Sequence, residues 1–246
     1  MKLETVVLIP NYNGERHLEG CLSSLKNQTY KKFKTIVIDN NSTDGSLKIL
    51  ESKFPEVEVL KLDKNYNFAK SMNTGIKYSL KNYSPKFIAA LNNDTNADKN
   101  WLKNLVKKIS SNDKIAAVAS NMLSYDNASI IDSQGGICDS IGVCNDVNKG
   151  KKEGGADIPK FLLSSCWGAS LISVKALKRI GFLDGDYVAY VEDLDWGWRA
   201  NLIGYKILFE EKARVYHKGS ASWNSRKYLK KYLCLRNSLC TLIKNY

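Results

Sequence analysis

No apolar run in the 246 residues approaches the roughly 18 that a membrane-spanning helix needs. The opening MKLETVVLIPNYNGE lacks a signal peptide's long apolar region and small-residue cleavage site, so the chain reads as cytoplasmic. No internal repeat is found. The cysteines at 21, 138, 144, 166, 234 and 240 form no CxxC pair and no zinc-ligand spacing. Without an export signal they read as reduced thiols rather than as a disulfide framework or a zinc site. Histidine occurs only twice, as His17 and His217. Acidic residues stop at Glu211, while nine Lys and Arg follow it.

What is present suits a substantial globular core: 43% of residues are hydrophobic, compatible with one large α/β domain. A formal charge of +12 favours an anionic partner, whether nucleotide phosphate, anionic lipid or nucleic acid. TVVLI (5–9), KTIVI (34–38), EVEVL (56–60), KFIAAL (86–91) and IAAVAS (115–120) read as short buried strands. Helical spacing lies between them: Leu18, Cys21, Leu22 and Leu25; Phe68, Met72, Ile76 and Leu80; Trp101, Leu102, Leu105, Val106 and Ile109. Alternating strand and helix predict a mostly parallel sheet with right-handed crossovers. From about 121 to 163 the pattern changes to Gly-, Asp- and Asn-rich hairpins, with GKKEGG at 150–155 as a linker or a flexible loop over a ligand site. Helices return near 173–180 and 192–203, with a strand at 205–209.

Three strand ends carry polar groups where open α/β sheets bind ligands. After the first, IPNYNGE offers Tyr12 for stacking and Glu15 at a helix start. After the second, Asp39 can accept a hydrogen bond from a base or a ribose hydroxyl. The fourth strand, FIAAL, stops on NNDT, where Asp94 is a hard oxygen ligand suited to Mg2+ or Mn2+. Taken singly, Asp39 and Asp94 are equally suited to capping the helices that follow, and Tyr12 to packing. Together the three ends describe a nucleotide cleft.

With VVLIPNYNGERHLEGCLSSLKNQTY, IVIDNNSTDGS, NYNFAKSMNTGI, LNNDT and YVEDLDWGWR in that order, the chain resembles inverting family-2 glycosyltransferases with the GT-A fold, in particular the rhamnosyltransferase-like branch. The resemblance covers roughly residues 4–220. It implies an α/β fold of GT-A type, with a Rossmann-like, mostly parallel central sheet flanked by helices and a smaller antiparallel acceptor-side portion. Residues 1–222 would form the transferase domain, with 1–120 the nucleotide-sugar half and 121–222 the acceptor and catalytic half; 223–246 would be a C-terminal basic amphipathic helix.

The resemblance also assigns roles. Pro10, Tyr12, Asn13 and Glu15 match the first nucleotide-binding loop, Asp39 the acid that contacts the base, and Asn41 and Asp44 the same second loop. Asn65, Lys70 and Asn73 match the segment beside the donor phosphates and sugar, with Asn67 in the place of a usual Gly; Asn tolerates positive φ better than most residues. LNNDT occupies the place of the metal motif, so Asp94 is the principal carboxylate, with Asn92 or Asn93 orienting sugar or metal. His217 matches a further metal ligand; His17 reads as structural. Asp193, with Glu192 as alternative, matches the general base, and Trp167 and Gly168 the acceptor side. The ordinary readings are an acidic first helical turn for Glu192 and Asp193, a surface i, i+4 ion pair for Asp195 and Arg199, and core packing with a turn for Trp167 and Gly168.

The activity implied is transfer of a sugar from dTDP-rhamnose or a UDP-sugar to a hydroxyl of a glycan or lipid-linked acceptor, with Mg2+ or Mn2+ as cofactor. No nucleic acid is expected as partner. A basic amphipathic tail containing Tyr228, Leu229, Tyr232, Leu233, Leu235, Leu239 and Leu242 reads first as a helix packed on the domain with a solvated basic face, and second as a dock on an anionic membrane. Two rival functions are a sugar-nucleotide nucleotidyltransferase, whose expected phosphate loop is poorly matched by NYNGERH, and a non-catalytic basic module binding nucleic acid or a membrane surface.

Overall fold

The computed structural model describes residues 3–139, 144–154, 157–219 and 227–245. In chain order the elements are β1 (Thr5–Asn11), α1 (Glu15–Lys26), β2 (Phe33–Asp39), α2 (Ser46–Lys53), β3 (Glu58–Lys61), α3 (Asn67–Asn82) and β4 (Phe87–Leu91). They continue with β5 (Thr95–Ala97), α4 (Trp101–Ile109), β6 (Ile115–Ser124), β7 (Ile131–Ser133), β8 (Gly136–Cys138), β9 (Cys144–Asp146), β10 (Ala169–Ser173) and α5 (Val174–Ile180). Last come α6 (Glu192–Leu202), β11 (Lys206–His217) and α7 (Lys227–Asn245).

One sheet runs β3-β2-β1-β4-β10-β6-β11-β5, and β7 pairs with the far end of β6. The β3 to β4 half is parallel throughout. β10 runs antiparallel to both of its neighbours, β11 parallel to β6, and β5 antiparallel to β11. β8 and β9 form a separate antiparallel hairpin. Strands of both predicted halves therefore share one sheet, and the expected architecture is present.

The sheet is covered on both faces, which is why its strands read as continuous apolar runs. On one face Leu18, Cys21, Leu22 and Leu25 of α1, Leu50 of α2 and Trp101, Leu102 and Leu105 of α4 pack against Val7, Ile9 and Val37. On the other, Ala69, Met72 and Ile76 of α3, Ala176 and Leu177 of α5 and Trp196 and Ala200 of α6 pack against Leu8, Ile36 and Ile38. α6 approaches closely because of Gly197, where an added Cβ would lie 1.7 Å from the carbonyl oxygen of Leu163.

Three sequence expectations are corrected. Cys138 and Cys144, read as free thiols, are directly paired residues of the β8–β9 hairpin with Cα atoms 4.2 Å apart, and they form a disulfide. The other four cysteines are free. Asp195 and Arg199 are not a surface pair: the Asp195 side chain is fully buried, and Arg199 also donates to the carbonyls of Ile180 and Phe182. The 150–155 stretch is no free linker over its described part, since Lys152 bridges to Ile130 and Glu153 pairs with Arg214 at 2.9 Å.

α7 turns the expected amphipathicity around. Its inward face carries Leu233 but also Asn237 and Thr241, all buried. Its outward face carries Tyr228, Tyr232, Leu235, Leu239 and Ile243, each more than half exposed. Among the described residues no helix is long and apolar enough to cross a membrane.

Candidate functional site

The end of β4 is where the candidate residues meet. β5 follows Asp94 directly, and α4 begins only at Trp101 with Asn100 before it, so Asp94 caps no helix. Instead each residue of Asn92-Asn93-Asp94 holds a different part of the molecule. The main-chain N–H of Asn92 donates to the Gly168 carbonyl at 2.8 Å. The Asn93 carboxamide donates to Asn11 Oδ1 at 2.7 Å. Asp94 Oδ1 lies 3.2 Å from Nε2 of His217.

The Asn93 branch leads to the ends of β1 and β2. Asn11 donates to Asp39 Oδ1 at 3.3 Å and to Ser42 Oγ at 3.2 Å, while Asp39 Oδ2 accepts the Ser42 N–H at 3.1 Å. Asp39 is thus buried and closes a local turn; α2 starts later, at Ser46. Two further side chains lock the loops together: Asn13 Oδ1 accepts from the Thr43 N–H at 2.8 Å, and Asp44 Oδ2 from the Glu15 N–H at 2.9 Å. Glu15 returns the contact by accepting the Gly45 N–H at 3.0 Å. Gly14 permits the close approach, since a Cβ there would lie 2.1 Å from the Asn93 amide. Pro10 sits in β1 opposite Ile38, and Tyr12 projects from the loop with 47% of its surface exposed. Asn13, Asn41 and Asn67 all adopt positive φ, the conformation that makes Asn a workable substitute for Gly.

The Asp94 branch is an acid–imidazole–acid array. His217, at the end of β11, places Nδ1 2.7 Å from Asp132 Oδ2. Burial alone would lower the imidazole pKa, but hydrogen bonds to Asp132 and Asp94 outweigh it and lift His217 to about 9. Burial alone would raise Asp132, but the His217 bond and the Lys149 charge outweigh it and lower Asp132 to about 2. Asp94 is lowered in the same way, its bond to His217 outweighing burial. A carboxylate oxygen and an imidazole nitrogen this close are a donor pair of the kind that suits a divalent cation. Among the described residues no group of three or more His, Cys, Asp or Glu side chains is arranged to hold a metal ion, since Asp132 lies on the far side of the His217 ring from Asp94.

The Asn92 branch leads to the acidic helix. Beside Gly168, the Trp167 N–H donates to Asp193 Oδ2 at 3.2 Å, and the Leu194 N–H donates to Asp193 Oδ1 at 2.8 Å. The Trp167 indole is in the core, edge-on to Trp196 at 5.3 Å, so Trp167 meets Asp193 through its main chain. Glu192 is buried with Oε2 unpartnered, whereas Asp193 is partly exposed. Burial and the neighbouring Asp193 charge push Glu192 up to about 8. Asp193 is also raised, by its enclosure in the surrounding protein, against the Trp167 hydrogen bond.

The turn before this helix holds Val188, Tyr190 and Val191 at positive φ, which is costly for β-branched Val. It is held from α7. The buried Asn237 carboxamide donates to the carbonyls of Tyr187, Ala189 and Tyr190 at 2.9, 2.9 and 2.7 Å, and Tyr187 shares a 2.7 Å hydrogen bond with Thr241.

Three candidates lie apart from these contacts. Asn65 accepts from the Asn67 N–H, Lys70 pairs loosely with exposed Asp186 at 4.0 Å, and Asn73 exchanges two hydrogen bonds with the Leu183 main chain. Lys70 and Asn73 connect α3 to the turn that leads to α6, while Asn65 closes a local turn before α3. Sequence reasoning missed Asp132, Asn11 and Asn237. Asp132 lies within a hairpin-like stretch without periodicity, and only its pairing in β7 brings it to His217. His17, read as structural, comes within 3.5 Å of Lys218 Nζ, and burial together with the Lys218 charge lowers its pKa against the pull of Asp94.

The model for "Glycosyl transferase family 2" matches residues 6–181. An uncharacterized glycosyltransferase of Haemophilus influenzae is 33% identical over 123 residues, covering 46% of this chain and 35% of the relative. The Escherichia coli UDP-Glc:alpha-D-GlcNAc-diphosphoundecaprenol beta-1,3-glucosyltransferase WfgD is 32% identical over 89 residues, covering 36% of this chain and 34% of the relative. The chain therefore spans about a third of the length of either relative. Among solved structures, the mannosyltransferase PcManGT from Pyrobaculum calidifontis in complex with GDP-Man and Mn2+ superposes with a TM-score of 0.69 at 14% identity, covering 100% of this chain and 66% of that one. The fold is that of the GT-A glycosyltransferases.

Proposed function

The chain belongs to glycosyl transferase family 2, and from that premise we propose that it moves a sugar from a nucleoside diphosphate donor to an acceptor hydroxyl with inversion at the anomeric carbon. One observation carries this reading: Asn92, Asn93 and Asp94 each bond to a different group of candidate residues, through Gly168, Asn11 and His217. A nucleotide loop, a cation site and an acid pair around one strand end are what displacement of a diphosphate requires.

In this reading Tyr12 stacks on the base while Asp39, Asn13 and Glu15 hold the loops that receive it. Asn65, Lys70 and Asn73 line the donor side. Asp94 and His217 hold the cation, and the imidazole nitrogen favours Mn2+ over Mg2+. When bound, the cation offsets the charge that develops on the leaving diphosphate. Asp193 takes the proton from the acceptor hydroxyl: it is the partly exposed acid of the pair and sits beside the Trp167–Gly168 segment. Glu192, buried beside it, is raised to about 8 by burial and by the Asp193 charge, and two such neighbouring acids resist being ionised together at neutral pH.

The donor is a UDP-sugar or dTDP-rhamnose. The first is supported by WfgD, which is named for UDP-Glc, and the second by the motif resemblance alone. The same relative, named for a diphosphoundecaprenol-linked acceptor, supports a lipid-linked acceptor here. The outward apolar stripe of α7, on a helix that carries Lys and Arg but no acid, supports docking on an anionic membrane.

The test is transfer from UDP-glucose and from dTDP-rhamnose to a panel of diphosphate-lipid acceptors, with product configuration read by NMR. Asp193→Asn should lower kcat by about 100-fold or more while nucleotide affinity stays unchanged. A wild-type rate in Asp193→Asn would remove the proposed base.

A further inference from the structure

His217 is gripped from both sides, and only one of its partners lies in the NND segment. Nε2 faces Asp94 Oδ1 at 3.2 Å, and Nδ1 faces Asp132 Oδ2 at 2.7 Å. Asp132 is the central residue of β7, and His217 is the last of β11. Both strands pair with the same end of β6, through Met122 and Leu123 on the β7 side and Met122 to Ser124 on the β11 side. The two side chains therefore meet across β6.

Asp132 is itself fixed. Its Oδ1 takes Lys149 Nζ at 3.1 Å; Lys149 also reaches Asp146 Oδ2 at 3.3 Å, and Asp146 Oδ1 accepts from Ser133 Oγ at 2.8 Å. A neutral imidazole has one N–H and one lone pair. Whichever nitrogen holds the hydrogen decides where the other can coordinate. A carboxylate 2.7 Å from Nδ1 keeps a hydrogen there and leaves Nε2, which faces Asp94, as the nitrogen that would give up its hydrogen to a cation.

We propose that Asp132 is a positioning residue for the cation site: it orients His217 as an Nε2 ligand and, through Lys149, ties that ligand to the acceptor-side hairpins. This inference rests on the reading of Asp94 and His217 as cation ligands. Asp132 itself touches neither cation nor substrate. It acts through His217, so its effect disappears when His217 is gone.

The test is Mn2+ titration of the whole protein followed by electron paramagnetic resonance, with the 14N coupling of a bound imidazole read by electron spin-echo modulation. His217→Ala should weaken Mn2+ binding and abolish the 14N coupling. Asp132→Ala should weaken binding by about 10- to 100-fold and reduce the coupling, and Asp132→Asn, which keeps the shape, should fall in the same direction. The double variant should match His217→Ala alone.

Asp132→Ala and Asp132→Asn with wild-type affinity and coupling, alongside a defective His217→Ala, would overturn the role of Asp132. So would an additive double variant, because the two residues would then act independently. Unchanged Mn2+ binding in His217→Ala would instead remove the cation-site reading itself, and this inference with it.

Discussion

The main-chain N–H of Trp167 donates to Oδ2 of Asp193, 26 positions further along the chain, at 3.2 Å. The adjacent Gly168 carbonyl accepts from the Asn92 N–H, so two peptide groups join the acidic helix to the end of β4. Only one side chain, the Asp193 carboxylate, lies in this link, and its other oxygen is held by the Leu194 N–H.

The clamp on the turn before α6 is the first place to test that coupling. Asn237→Leu keeps the bulk but removes the carboxamide donor to the Tyr187, Ala189 and Tyr190 carbonyls, of which Tyr187 keeps a bond from Arg236 at 3.1 Å. Losing the Asn237 bonds to the Ala189 and Tyr190 carbonyls should cost about 1–3 kcal/mol of stability. It should also lower kcat by about tenfold with little change in donor KM, because the nucleotide loop is held by other contacts. Steady-state kinetics and urea unfolding measure both, and an unchanged kcat would separate α7 from catalysis.

Glu192 gives the protein a pH signature. Its folded pKa of about 8 lies above the ordinary 4.5, so between these values the folded state binds more protons than the unfolded chain. Stability contributed by this group is therefore present below about pH 4.5 and is lost as pH rises through about 8. Asp193, raised beside it, and His217, raised to about 9, add losses in the same direction, so the comparison with the variant reads Glu192 together with its effect on Asp193. The melting temperature of wild type should fall from pH 5 to pH 8 more steeply than that of Glu192→Gln. Parallel curves would show that Glu192 ionises normally.

Gly197→Ala should be severe although the change is one methyl group. Its Cβ would sit 1.7 Å from a main-chain oxygen, which no rotamer change relieves, so α6 must shift. A loss of more than about 3 kcal/mol is expected in denaturant unfolding. A stable, active Gly197→Ala would mean that α6 packs less closely on Leu163.

For α7, sedimentation with vesicles of phosphatidylglycerol should carry the protein down, salt should release it, and phosphatidylcholine vesicles should not bind it. Leu235→Ser with Leu239→Ser, both on the outward face, should abolish binding without lowering the melting temperature. Self-association in place of vesicle binding would assign the stripe to a second copy instead.

Much of this was legible beforehand because periodicity and strand ends are local properties. The alternation of strands and helices through Ser120 was readable, and so were the polar strand tips at Tyr12, Asp39 and Asp94. The position of Asn67 at φ 61 also agrees with its reading as a replacement for Gly. What escaped is set by pairing distant in sequence. Asp132 reaches His217 over 85 positions, and Asn237 reaches Tyr187 over 50. Cys138 and Cys144 are close in sequence, yet nothing in CDSIGVC says that the two residues face each other across a hairpin. The tail was read as amphipathic, but periodicity cannot tell which side faces the domain, and here buried polar contacts outcompeted the apolar stripe for the inward position.

The central claim is that the end of β4 receives a nucleotide diphosphate together with a divalent cation. Its most direct test is thermal-shift titration with UDP, dTDP and GDP, each with and without Mn2+, on wild type and Asp94→Ala. A rise in melting temperature for one nucleotide that requires Mn2+ and disappears in Asp94→Ala is the predicted result. No shift with any of the three, or an equal shift in the variant, would contradict it.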